Sequence, residues 1–350
     1  MIPMTDGGTD PTSTDSADAT GTGTGTDATT TESTGSNSAT IDFTSAAPTT
    51  GSLDVTWRHG VRSARREQEP AIQVHPYDEH TVILRQSKSV NYEAPFLYLL
   101  FGNDRALLLD TGATADPRLF PLRTTVDGLI TAWLDQHPRE GYELVVAHSH
   151  GHHDHVAADP QFADRPATTV VPQDQDEVRS FFGFGDNWPT RSVTFDLGGR
   201  VLEVLGSPGH HQSAVTFYDP WTGFLLTGDT VLPGRLFAFD FPAYLATLER
   251  LVAFAGTRPV THVLGCHVEM TSRQGRDYPL GAGYQPDERA PEMTTAQLTA
   301  ICDAASTVAS RRGVHRFDDF VIYNEPGKGD LRRLLFRARA HKFLSRLRFF

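Results

Sequence analysis

Residues 148 to 155 read His-Ser-His-Gly-His-His-Asp-His, placing five of the chain's 15 histidines and one aspartate within eight positions. Imidazoles and carboxylates suit zinc or iron, and packing gives no reason to crowd so many together. The cluster directly follows the apolar run Leu144-Val145-Val146-Ala147, which has the pattern of a buried strand. The histidines therefore stand just beyond a strand's carboxyl end, where sites form in α/β sheets. Other polar residues repeat this placement. Asp110 closes the run 106–109, and His210 and His211 follow 201–205 through Gly206-Ser207-Pro208-Gly209. Asp229 follows 224–227, and Gly265-Cys266-His267 follows 261–264. Metal-assisted chemistry explains this recurrence; a solvated histidine-rich loop does not.

Short strands with helices at intervals must position these residues. Runs 81–84, 96–101 and 106–109 read as strands, the last two forming a hairpin around Gly102-Asn103-Asp104. Val126, Leu129, Ile130, Trp133 and Leu134 make the apolar stripe of a helix over 122–137. The order strand, helix, strand into 144–147 predicts parallel pairing. Further strands are expected at 168–171, 193–195, 201–205, 214–218, 224–227, 261–264 and 317–323. Helices are expected at 174–182, 242–254 and 294–310, the last with Leu298, Ile301, Cys302 and Ala305 on one stripe.

Taken together, Asp110, His150-x-His152-x-Asp154-His155, His210, Asp229 and His267 resemble the five motifs of the metallo-β-lactamase superfamily. The resemblance spans about residues 75 to 270, with Pro208-Gly209-His210 and Thr227-Gly228-Asp229-Thr230 in the expected order. It implies an α/β fold, an αββα sandwich of two mixed sheets flanked by helices. By position it implies one metal on His150, His152 and His210, a second on Asp154, His155 and His267, and Asp229 between them. Asp110 matches the family's ligand-orienting carboxylate, and Asp154 the residue that can also orient the nucleophilic water. His148 and His153 are left as neighbours, because only His150 as the first histidine puts Asp-His two residues after the second. Pro-Gly-His selects His210 over His211. Cys266 reads as a small packed residue.

Two Zn2+ ions bring four positive charges against two from Asp154 and Asp229, so a bridging hydroxide leaves about one positive charge. Such a field lowers the pKa of bound water from 15.7 towards about 7. The implied activity is hydrolysis, a di-zinc-bound hydroxide attacking the carbonyl of a small ester, thioester or lactone. Relatives that hydrolyse β-lactams carry Cys or Ser at position 229, and the iron flavoproteins carry a carboxylate at 152. The pattern here is nearer to glyoxalase II and the lactonases. The alternatives are a persulfide dioxygenase with one Fe2+, which metal analysis distinguishes, and a metal-binding scaffold without catalysis.

Aromatic runs flank the motifs, and Phe184, Phe237 and Tyr244 are candidate substrate contacts. Arg273 and Arg276 could clamp a substrate carboxylate. The net charge of −12 argues against a nucleic-acid partner. Residues 1–53 hold seven acidic residues, no Lys or Arg and few large apolar side chains, and read as a disordered tail before a domain over 54–325. The chain shows no signal peptide, spanning segment or disulfide framework, and a cytoplasmic location is expected. Residues 326–350 form a basic amphipathic extension, with eight Lys or Arg and only Asp330 acidic from 328 onward. A membrane surface is one possible partner for it, though packing on the domain is the more ordinary one.

Overall fold

Strands that bury both faces must be apolar throughout, and those around the histidine cluster are. In β4 (Arg105–Leu109) Leu107 and Leu109 face one core while Ala106 and Leu108 face another. The computed structural model describes residues 39–45, 47–62 and 68–347, the last four as backbone only. The first sheet runs in chain order: β1 (Ile72–Asp78), β2 (Thr81–Gln86), β3 (Phe96–Phe101), β4, β5 (Glu143–Ala147) and β6 (Thr168–Val170). The first four are antiparallel, and β4, β5 and β6 are parallel, β4 reaching β5 through α1 (Leu122–Gln136).

The second sheet contains β7 (Val193–Asp196), β8 (Val201–Gly206), β9 (Val215–Asp219), β10 (Phe224–Gly228), β12 (His262–Gly265) and β13 (Glu292–Met293). Only its β10–β12 pair is parallel. The two inner faces meet in a core that includes Tyr98, Leu107 and Val145 from one sheet and Val204, Phe217 and Leu226 from the other. Val126, Ile130 and Trp133 of α1 cover the outer face of the first sheet. On the second, α4 (Phe241–Ala255) and α5 (Thr295–Val308) supply Leu248, Leu251, Leu298 and Ile301. The fold is the expected αββα sandwich.

Local signals set several boundaries. Asp174 accepts from the Asp176 amide at the start of α3 (Gln175–Phe182), and left-handed Gly183 ends it. Thr294 and Gln297 form a reciprocal capping box on α5. β1 escapes the sequence reading because it contains Pro76, which the edge of the sheet tolerates. The strand expected at 317–323 is instead part of a hairpin of β14 (Gly313–Arg316) and β15 (Val321–Asn324). β15 also pairs in parallel with β11 (Arg235–Ala238), a short strand that the sequence reading misses.

The described part of the expected tail is laid against the domain, which shortens that segment. Phe43 is buried, the Ile41 amide donates to Asn103 Oδ1 at 2.9 Å, and the Thr49 amide donates to Trp221 O at 2.7 Å. Two large apolar residues and a few edge hydrogen bonds suffice to hold an extended strap. Residues 1–38 lie outside the described residues. The basic extension is helical, α6 (Lys328–Leu347), and packs through Leu334 and Arg337, while Leu335, Phe336 and Phe343 are exposed. Among the described residues no helix is long and apolar enough to cross a membrane.

Candidate metal centre

The histidines and carboxylates converge beyond the carboxyl ends of β4, β5, β8, β10 and β12. Two glycines allow that approach. A Cβ on Gly209, at φ +134°, would stand 2.4 Å from Tyr244 Cα of α4. One on Gly228, at φ +55°, would stand 2.6 Å from Ser149 Cβ. Only glycine fits either place, and each directly precedes an inward-facing residue, His210 or Asp229.

Among the described residues the potential donor atoms form three groups, within each of which they lie no more than 4.8 Å apart: His150, His152 and His210; Asp154, His155, Asp229 and His267; and, sharing His155, Asp110 with Cys266. In the first group His152 Nδ1 lies 2.9 Å from His150 Nε2 and 3.0 Å from His210 Nε2. His210 Nδ1 is 2.8 Å from the Phe237 carbonyl, to which it donates, leaving the Nε2 lone pair facing inward. In the second group His267 Nε2 lies 3.4 Å from Asp154 Oδ2 and 3.5 Å from Asp229 Oδ1. Asp229 Oδ1 is buried and accepts no hydrogen bond. Converging imidazoles and an orphaned carboxylate oxygen are the donor set a divalent cation needs, so the residues fit a metal.

Asp110 is fully buried, at φ +67°. Its carboxylate accepts from the Ser149 amide at 2.7 Å, Ser149 Oγ at 2.9 Å, His155 Nδ1 at 2.9 Å and Cys266 Sγ at 3.1 Å. It thereby turns His155 so that Nε2 faces Asp154 and Asp229, and ties the loop after β5 to the end of β12. Burial pushes the Cys266 thiol up, so it remains a protonated donor.

Electrostatics divide the site. Burial holds His210 at about 4 against the pull of Asp229, and burial with neighbouring imidazoles holds His150 well below the ordinary range. These rings are neutral and ready to ligate. On the other side burial opposes charge on His267, but Asp229 and Asp154 outweigh it and push the ring up to about 9. His155 is likewise raised, Asp110 and Asp229 overcoming its burial. Burial also opposes the Asp154 carboxylate, yet His267 and His155 bring it down to about 2. A divalent ion between these four residues would take over the charge the two imidazolium protons carry, so its uptake releases protons.

His148 is buried 2.9 Å from Asp159, His153 is exposed, and His211 lies 3.0 Å from Ser213 Oγ, so none of the three joins the donor groups. A cavity of about 200 Å³ opens over the centre, lined by Phe237 and Phe239 among other residues. Of the candidate substrate contacts, Phe237 alone lines it. Phe184 is fully buried between the sheets against Trp188, and Tyr244 is fully buried against Gly209, its hydroxyl donating to Thr230 O at 2.8 Å. Arg273 and Arg276 are exposed and outside the lining. Glu93, Arg235 and Glu269 line it instead. A lone glutamate, or an arginine in a short strand, carries no local signal that it faces a cavity.

Residues 93–287, more than half of the chain, match the sequence model described as the metallo-beta-lactamase superfamily. The chain belongs to this superfamily and is a hydrolase. It is similar to a hydroxyacylglutathione hydrolase of Synechococcus sp. (strain JA-2-3B'a(2-13)), 27% identical over 71% of this chain and 94% of that one. A hydroxyacylglutathione hydrolase of Synechococcus sp. (strain JA-3-3Ab) is 29% identical over 66% of this chain and 85% of that one. Among solved structures, a metallo-beta-lactamase from Pontibacter korlensis aligns with a TM-score of 0.44 at 16% identity, over 67% of this chain and 99% of that one.

Proposed function

We propose that this protein hydrolyses the bond from the acyl carbon to oxygen or sulfur in a small ester, thioester or lactone at a pair of zinc ions. The observation that carries the reading is the arrangement of two donor groups around Asp229, whose buried Oδ1 has no hydrogen bond of its own. His150, His152 and His210 would hold one ion, Asp154, His155 and His267 the other, and Asp229 would bridge them. Bound there, the ions would lower the pKa of water towards about 7 and polarise the substrate carbonyl.

The chain's own residues do the rest. Asp110 fixes His155 by the 2.9 Å contact to Nδ1, so its Nε2 lone pair is delivered in one orientation. Asp154, beside His267 and open to the cavity, orients the attacking water and accepts its proton. The water oxygen bonds to the carbonyl carbon, the carbon–oxygen or carbon–sulfur bond breaks, and the proton passes to the departing alkoxide or thiolate. The names of the relatives favour a thioester, since hydroxyacylglutathione is one. The domain over 54–325 and a cytoplasmic location belong to the same proposal.

Metal content of protein purified without added metal or chelator tests it. About two zinc ions per chain, with hydrolysis lost on chelation and restored by zinc, is the expected result. About one iron per chain with oxygen consumption in persulfide would replace it by the dioxygenase reading.

A further inference from the structure

A substrate is chosen by the part of it that does not react, and here the cavity wall bears on that choice. Apart from the metal-site residues, the charged groups in the wall among the described residues are Glu93, Glu269 and Arg235. The arginine is already committed. Its Nη1 donates to Asp277 Oδ2 at 3.1 Å and to Tyr278 O at 2.8 Å, and its Nη2 pairs with Glu269 Oε1. Its backbone amide donates to Glu269 Oε2 at 2.6 Å, and Nε is buried without a hydrogen-bond partner. Asp277 in turn is held by Arg316 at 2.7 Å and by Arg337 of α6 at 2.6 Å, which locks the guanidinium against the wall.

Among the described residues, an incoming carboxylate would therefore find no exposed unpaired guanidinium or ammonium in this wall, only Glu93 and a Glu269 already paired with Arg235. The positive charge left to it would be that of the metal ions, which the reacting carbonyl needs. The remaining wall is apolar, with Leu232, Phe237 and Phe239, and the cavity of about 200 Å³ holds a small group. Resting on the hydrolytic reading above, we infer that the substrate is an acyl compound without a carboxylate of its own, its non-reacting part apolar or cationic. This departs from the anionic glutathione thioesters in the relatives' names.

Three thioesters of one acyl group test it: the glutathione ester with its two carboxylates, the uncharged N-acetylcysteamine ester and the cationic thiocholine ester. With zinc-loaded full-length protein, kcat/KM for the second and third should exceed that for the first by about tenfold or more, as like charges in a partly desolvated wall require. Glu93→Gln should narrow that gap about threefold or more at unchanged zinc content. Equal or faster turnover of the glutathione ester overturns the inference. Binding of the unreactive thioether analogues, read by calorimetry, separates the two readings. If no ester is cleaved but the analogues keep the order, the hydrolytic reading fails and the pocket preference stands. If the carboxylate-bearing analogue binds as tightly as the others, the preference fails whatever the turnover.

Discussion

The molecule buries charge in several places, and two of them treat it in opposite ways. Arg200 and Asp219 lie between the sheets, 1% and 0% exposed, and their polar atoms are satisfied. Arg200 meets Asp219 at 3.1 and 2.6 Å, reaches Thr81 Oγ1 at 2.9 Å and donates to the carbonyls of His80 and Phe101 at 2.6 and 3.1 Å. Thr222 Oγ1 completes Asp219 at 2.6 Å. The centre around Asp229 is largely buried, yet three imidazoles turn ring nitrogens towards one another and a carboxylate oxygen accepts no hydrogen bond. A closed network stabilises a fold; one that turns imidazole nitrogens and a carboxylate oxygen inward is suited to hold a cation.

The largest expected effect breaks the open region. On the proposed two-ion site, Asp229→Ala should remove one ion and lower kcat/KM by about 10³-fold or more, because it removes the ligand proposed to serve both. Metal analysis and steady-state kinetics on one preparation read both, and full activity with two ions would undo the assignment. Arg200→Met should act on the closed region alone. Leaving Asp219 buried and unpaired costs about 3–5 kcal/mol in denaturant unfolding while the metal count stays unchanged.

A second buried ion cluster, around Glu288, sharpens the contrast by its response to acid. Burial opposes the Glu288 carboxylate, but Arg85 and Lys88 outweigh it and bring its pKa from 4.5 down to about 2. A depressed carboxylate stabilises the fold above its unfolded pKa, so this contribution, on the order of 3 kcal/mol, is present above about pH 4.5 and fades as pH falls towards 2. Unfolding followed against pH should show a shallower slope in that window for Glu288→Gln. The smallest effect is expected from Asp110→Asn. Asparagine tolerates the left-handed backbone at this position but can no longer accept from all four donors, so zinc affinity should fall about 10- to 100-fold with the fold intact. An unchanged zinc titration would make Asp110 a turn residue only.

The contrast also separates what was legible in the sequence. The donor set is compact in the chain or marked by neighbours: His150 and His152 lie in the loop after β5, Asp154 and His155 in the short helix α2 (His153–Val156) that follows it, and Gly209 and Gly228 directly precede His210 and Asp229. The strands carrying them were readable because burial on both faces makes them continuously apolar. β11 was not, since four residues between turns give no period, and its partner β15 lies more than 80 residues on.

The amino-acid sequence by itself determined the candidate donor set, because metal ligation depends on residue type and on spacing within segments that a strand end holds in place. Tertiary structure alone decided what surrounds that chemistry. Phe184 and Phe237 look alike in the chain, but one fills the core between the sheets and the other lines the cavity. Arg273 and Arg276 look available and lie outside it, while Arg235 lies in the wall. The physical reason is that a cavity wall is assembled from segments distant in sequence, here around residues 93, 235, 269 and 280, which meet only through the packing of sheets and loops.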